Sequence, residues 1–260
     1  MEFQVMTFNL RLNLNSDGPF AWPYRRKAVV EYLRQISPLI IGAQEVLDGM
    51  LEDLKQELPE YTPLGVTRRE GEEATPILYK SHLLECKAYG TFWLSKTPDI
   101  PNSIDFNSAF PRICTWAEFM VKGDRTRRFR VFNTHLDHIS REAQIEGMKI
   151  IIQRMNENGE FLPSLLMGDF NAIESDDVIQ YLNEKARVKG KSLTSCYAVQ
   201  GADYGATFHN YTGIAEGDPI DYIYATEGFT FLNTTIDREM KHGLYLSDHY
   251  PVRCTVRFEG

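Results

Sequence analysis

Ser164-Leu165-Leu166-Met167-Gly168-Asp169-Phe170-Asn171-Ala172 is an apolar run that ends on a carboxylate and an amide. A short apolar segment bounded by glycine reads as a buried strand. Asp169 and Asn171 are two apart, so an extended backbone would point them to the same side. Taken alone, Gly-Asp-Phe-Asn could equally be an Asx-type turn. Farther along, Ser247-Asp248-His249-Tyr250-Pro251 again sets a carboxylate beside a second polar group.

Working outward, residues 3–10 and Leu39-Ile40-Ile41 read as buried strands, the second entered through Pro38. Between them, residues 24–36 carry Val29, Leu33 and Ile36 at a helical period, and Pro38 ends the helix. Leu47, Met50, Leu51, Leu54 and Leu58 repeat the amphipathic spacing in a helix expected over 46–58, stopped by Pro59. The middle changes character, with extended segments at 75–79, 85–94, 113–121 and 129–134. Ile145, Met148, Ile152 and Met155 mark another helix, and Val252, Cys254, Val256 and Phe258 alternate with polar residues as a half-buried strand does. By pattern alone the chain is α/β or α+β.

The motifs run from near one end of the 260-residue chain to the other, so one domain spanning 1–260 is expected. Hydrophobic content of 43% and charged content of 25% are those of a globular chain with a sizeable core. The start has no basic region leading into a long apolar stretch, and no apolar run is long enough to span a bilayer, so a cytoplasmic protein without a membrane span is expected. Cys86, Cys114, Cys196 and Cys254 are far apart and form no C-x-x-C pair, which fits reduced thiols. A net charge of −8 argues against tight sequence-independent binding to long nucleic acid. The one concentrated basic run, 125–130, follows the turn signal Gly123-Asp124 and reads as a solvated edge of a hairpin.

The order of the remaining motifs points to chemistry. Thr7-Phe8-Asn9 opens the chain, Gln44-Glu45-Val46 follows the second apolar run, Asn133-Thr134-His135-Leu136 follows a third, and Ile220-Asp221-Tyr222 precedes the terminal Asp-His. Phosphoester hydrolysis requires a catalyst to neutralise an anion, deprotonate water and support the leaving oxygen. Mg2+ or Mn2+ held by one or two carboxylates meets the first need. Glu45, at the end of a buried strand, is the principal candidate ligand; its alternative is an acid favouring the following helix N-terminus. Asp169 is placed to take a proton from water and Asn171 to donate to water or phosphate. Together these motifs have the layout of a metal-assisted phosphoester hydrolase.

On these six segments the sequence resembles the endonuclease/exonuclease/phosphatase superfamily. Trp22-Pro23-Tyr24-Arg25-Arg26-Lys27, Phe92-Trp93-Leu94-Ser95, Pro111-Arg112-Ile113-Cys114-Thr115-Trp116 and Asn133-Thr134-His135-Leu136-Asp137-His138 resemble a compact bacterial, distantly nocturnin-like group. The resemblance implies a four-layer α/β sandwich: two mixed sheets face to face, helices outside, and the active site at one end of the sheets. It also implies that Asp221 orients His249, that His135 donates to the phosphate, that Asn9 positions metal and phosphate, and that Asp248 supports the metal. Arg112 and Arg26 match positions shared by the bacterial group; each is a candidate for gripping phosphate or for a structural ion pair. Trp93 and His138 are candidates for the pocket wall, whereas Trp116 suits core packing. The sequence departs from the AP-endonuclease branch at Arg11, where that branch carries a further acidic ligand two residues after the asparagine.

A divalent-metal-dependent hydrolase is therefore expected, acting by direct attack of water on a small phosphodiester or phosphomonoester. The alternatives are a nuclease for short or single-stranded nucleic acid, which would need a basic groove with exposed aromatics, and an inactive phosphate-binding protein. No protein partner is legible.

Overall fold

Alternation along β1 (Glu2–Asn9) sets the layering. Phe3 and Val5 face a core shared with Phe119, Phe129, Leu165 and Met167, while Met6 and Phe8 face the opposite way, into a cluster with Val29 and Leu33. Neighbouring side chains on a strand point to opposite faces, so a strand apolar at every position is covered on both sides. Complete burial of such side chains is worth roughly 1.5–3 kcal/mol each.

The computed structural model describes residues 1–157 and 159–260. One sheet has six strands in the order β12 (Phe229–Ile236), β13 (Val252–Phe258), β1, β2 (Ile40–Gln44), β4 (Ile77–Lys80), β3 (Tyr61–Leu64). The other has seven, in the order β5 (Leu84–Trp93), β6 (Ile113–Val121), β7 (Arg128–His135), β8 (Ser164–Asp169), β11 (Asp221–Thr226), β10 (Lys191–Ser195), β9 (Arg187–Val188). Both are mixed: β1 runs parallel to β2 and antiparallel to β13, and β7 runs parallel to β8 and antiparallel to β6. The sheets face one another across the shared core. α1 (Trp22–Ile36) and α2 (Asp48–Glu57) cover the outer face of the first, while α3 (Arg141–Asn156) and α4 (Asp177–Gln180) cover that of the second. This is the expected sandwich.

Local chemistry explains the element ends. Pro23 sits in the first turn of α1, where its missing N–H costs nothing, and Ser37 ends the helix in the left-handed conformation just before Pro38. The Ser140 side chain caps α3 by accepting from the Ala143 N–H. Several boundaries differ from expectation: α1 begins at Trp22, α2 spans only Asp48–Glu57, and β4 begins at Ile77. The basic run lies on the β6–β7 hairpin with Arg125, Thr126 and Arg128 exposed as expected, but β7 is no edge strand, since it lies between β6 and β8; Arg130 is buried and donates to the Met155 carbonyl. None of the described helices is long and apolar enough to cross a membrane. The four cysteines are free.

Gly168 is a point where the fold tolerates no side chain. Its φ is +152°, and a Cβ built there would lie 2.0 Å from the Thr134 carbonyl oxygen of the neighbouring strand. Gly168→Ala must therefore part β7 from β8, and a loss of about 3 kcal/mol of stability is expected. Urea unfolding with a lowered midpoint and an unchanged slope would show it.

Candidate active site

The same parity that builds the core places polar residues at one end of it. On β8, Leu165 and Met167 face the other sheet, and Asp169 continues that face; on β7, Phe129 and Val131 do so, and His135 continues it. β11 runs antiparallel to β8, so its first residue, Asp221, comes to the same end. In register, His135 pairs with Asp169 and Asp169 pairs with Asp221. Three polar side chains therefore stand abreast on adjacent strands. From the opposite sheet, Asn9 ends β1 with the same inward parity and donates through Nδ2 to Asp169 Oδ2 at 2.9 Å and to Glu45 Oε1 at 3.0 Å.

Glu45 follows β2 in the left-handed region, with φ +59°. That conformation is uncommon for a residue with a side chain and clusters at functional sites. Its second oxygen accepts from the Leu12 N–H at 2.9 Å. Arg11, also left-handed, places its guanidinium between Asp17, at 3.0 Å, and Asp248 Oδ2, at 3.5 Å. A cation thus stands where the AP-endonuclease branch would have an acid.

His249 Nδ1 is 2.9 Å from Asp221 Oδ2, and His249 Nε2 lies 3.7 Å from Asp169 Oδ2. Burial disfavours charge on both members of the His249–Asp221 pair and pushes Asp221 up. The Asp221, Asp169 and Asp248 carboxylates nevertheless lift the imidazole to about 10, so the pair carries its proton on His249. His135 Nε2 approaches the same Asp169 oxygen, at 3.6 Å. Two imidazoles from different strands therefore converge on one carboxylate.

The far side of His135 faces Glu73, on the loop between β3 and β4, with Nδ1 at 3.4 Å from Oε1. Glu73 is almost fully buried. Burial alone would raise its carboxyl, but His135, Arg112 and Arg68 hold it at about 2. Sequence reasoning passed over Glu73 because it closes a charged run, Arg68 to Glu73, that looks like a solvated turn. The Trp93 indole N–H secures that loop by donating to the Arg68 carbonyl at 2.9 Å.

Glu45, Asp169, Asn171, His135, Asp248 and His249 line one cavity of about 340 Å3, joined there by Arg112 and His138. Asn171 reaches it differently from the extended geometry expected. It is left-handed, with φ +48°; its N–H donates to Asp169 Oδ1 and its side-chain amide to the Leu136 carbonyl. Each Arg112 nitrogen already has a partner: Glu73, Asp137 and His138. The structural ion pair is thus what Arg112 forms. Trp93, expected in the pocket wall, is instead buried beneath the loop, and Arg26, like Arg112, forms the structural ion pair rather than a phosphate grip, meeting Asp53 at 2.6 Å on the surface between α1 and α2. The adjacent Arg25 is the one turned inward. Completely buried, it donates to the carbonyls of Phe20, Leu246 and Arg11, tying together the loops that carry Arg11 and Asp248.

The site suits a divalent cation. Burial raises the Asp248 carboxyl, and the charge of Glu45 raises it further, while His249 and Arg11 oppose them. A cation between Glu45 and Asp248 relieves that repulsion, and an all-oxygen donor set with Asn9 nearby matches Mg2+ or Mn2+ chemistry. Glu45, Glu73 and His135, and separately Asp169, Asp221 and His249, bring possible ligand atoms within 4.8 Å of one another.

The sequence profile of the Endonuclease/Exonuclease/phosphatase family matches residues 6–249. A Bacteroides vulgatus endonuclease/exonuclease/phosphatase structure superposes with a TM-score of 0.92 at 29% identity, covering 100% of both chains. The Bacteroides thetaiotaomicron mannosyl-6-phosphatase superposes at 0.88 with 29% identity, covering 98% of this chain and 99% of that one. A functionally unknown conserved protein from Enterococcus faecalis superposes at 0.87 with 32% identity, covering 98% and 100%. Among curated proteins, no sequence matches.

Proposed function

The chain belongs to the endonuclease/exonuclease/phosphatase family of hydrolases, and from that premise we propose that it cleaves a small phosphodiester or phosphomonoester by direct attack of water. The observation that carries this reading is the convergence of His135 and His249 on Asp169, with Asn9 linking Asp169 to Glu45. The mannosyl-6-phosphatase among its structural neighbours supports a small substrate.

In this reading Glu45 and Asp248 would hold the divalent cation, with Asn9 as a further neighbouring donor. When bound, the cation supplies positive charge for the phosphate oxygens. Asp169 takes the proton from the attacking water, its Oδ2 kept in place by the Asn9 amide. His249, protonated and oriented by Asp221, and His135 donate through Nε2 to the oxygens on which charge develops. Asn171 fixes Asp169 by donating its backbone N–H to the other carboxylate oxygen.

The test is a panel of esters given to purified protein with magnesium: bis-p-nitrophenyl phosphate, sugar phosphates, linear dinucleotides and a labelled single-stranded oligonucleotide. Turnover of small esters with little or none of the oligonucleotide is expected. Preferential cleavage of the oligonucleotide would replace this reading with that of a nuclease.

A further inference from the structure

One wall of the cavity is not used by the chemistry above. Arg68 donates through Nε to Glu72 at 2.7 Å and through Nη1 to Glu73 at 2.6 Å, and its Nη2 has no protein partner among the described residues. Arg112 Nη2 lies 3.0 Å from His138 Nδ1. An arginine can only donate, so His138 accepts at Nδ1 and carries its proton on Nε2. His138 Nε2 is likewise without a partner among the described residues. Both residues line the cavity, and Phe110 lies between them in the packing. Phe110 is 40% exposed, with the Arg68 guanidinium 4.4 Å from its ring centroid and the His138 ring stacked at 6.1 Å and 17°.

The wall therefore offers two N–H donors, each held by its own hydrogen bonds, next to an exposed apolar ring. Its charge decides what those donors suit. The guanidiniums of Arg68 and Arg112 are set against the carboxylates of Glu72, Glu73 and Asp137. Two positive charges do not outweigh three negative ones, so a second phosphate gains no attraction here, whereas uncharged oxygen acceptors do. Fixed donors beside an aromatic surface match a saturated ring that presents C–H bonds to one side and hydroxyls to the other.

Resting on the hydrolase reading, we infer that Arg68, His138 and Phe110 form a leaving-group subsite for an uncharged, hydroxylated ring, so that the preferred substrate is a phosphate ester of a sugar or cyclic polyol with no second phosphate. Arg112 acts there as a positioning residue, by holding the His138 ring.

The experiment compares kcat/KM, with magnesium, for a hexose monophosphate, the hydroxyl-free cyclohexylmethyl phosphate and a hexose bisphosphate, each as the free ester and as its methyl diester. The wild-type protein is expected to favour the hexose over the cyclohexylmethyl ester by about tenfold or more, as one or two hydrogen bonds allow, and to disfavour the bisphosphate. His138→Phe, which keeps an aromatic ring against Phe110 but has no donor, should lose most of the first preference through KM rather than kcat. Phe110→Ala, at an exposed position, gives a second variant; it should weaken both ring-bearing monoesters. Turnover with no hexose preference, or a preference for the bisphosphate, overturns the inference alone. No turnover of any ester overturns the hydrolase reading and the inference together.

Discussion

Asp169→Asn is expected to lower turnover by at least about 10²-fold, the usual cost of removing a general base, while leaving the metal concentration for half-maximal activity close to that of wild type. The substitution is nearly isosteric. The new amide keeps one acceptor oxygen, so it can accept from the Asn9 amide or from the Asn171 N–H, which donate to different oxygens of Asp169, but not from both. What is lost is the basic carboxylate on which His135 and His249 converge. A metal titration of the variant's residual activity separates this from damage to the cation site. A large rightward shift in that titration would mean that Asp169 is a ligand first.

Glu45→Gln should show the reverse pattern. Removing one negative charge from a hard-cation site weakens binding, and even residues that only support a ligand typically cost 10- to 100-fold in affinity. A rise of about tenfold or more in the magnesium needed for half activity is expected, with turnover largely recovered at saturating magnesium. The glutamine keeps one acceptor oxygen; placed toward the Leu12 N–H it retains that contact and the left-handed turn after β2, and the bond from the Asn9 amide is lost. Equal metal-concentration defects in Glu45→Gln and Asp169→Asn would show that the division between ligand and base is wrong.

The strand ends of the site were legible because one parity rule governs both core and chemistry. A strand whose odd residues are Leu165 and Met167 must send Asp169 the same way, and the rule holds for Val5 with Asn9 and for Val131 with His135. Past a strand end the rule lapses. Asn171 was expected to continue an extended chain, but it turns left-handed after the strand has stopped. β12 escaped notice because its Thr-rich stretch lacks a continuous apolar signal, although Phe229, Phe231 and Ile236 are buried.

Residues whose partners are distant in sequence were hardest to place. Arg25 and Arg26 look alike in Tyr24-Arg25-Arg26-Lys27, yet one helical step turns Arg25 into the interior and Arg26 toward Asp53. Nothing in the local sequence distinguishes a pocket-wall Trp93 from one that secures a loop; its N–H is occupied by the carbonyl of Arg68. Glu73 carried no local signal at all. Its burial arises only when His135, Arg68 and Arg112, from three separate segments, close around it.

The most direct measurement is the hydrolysis rate of whichever small phosphoester turns over fastest, first with the protein freed of divalent ions by a chelator and then across a magnesium titration. Activity should disappear on chelation and return with added magnesium. Turnover that persists unchanged after chelation would contradict a metal-dependent mechanism.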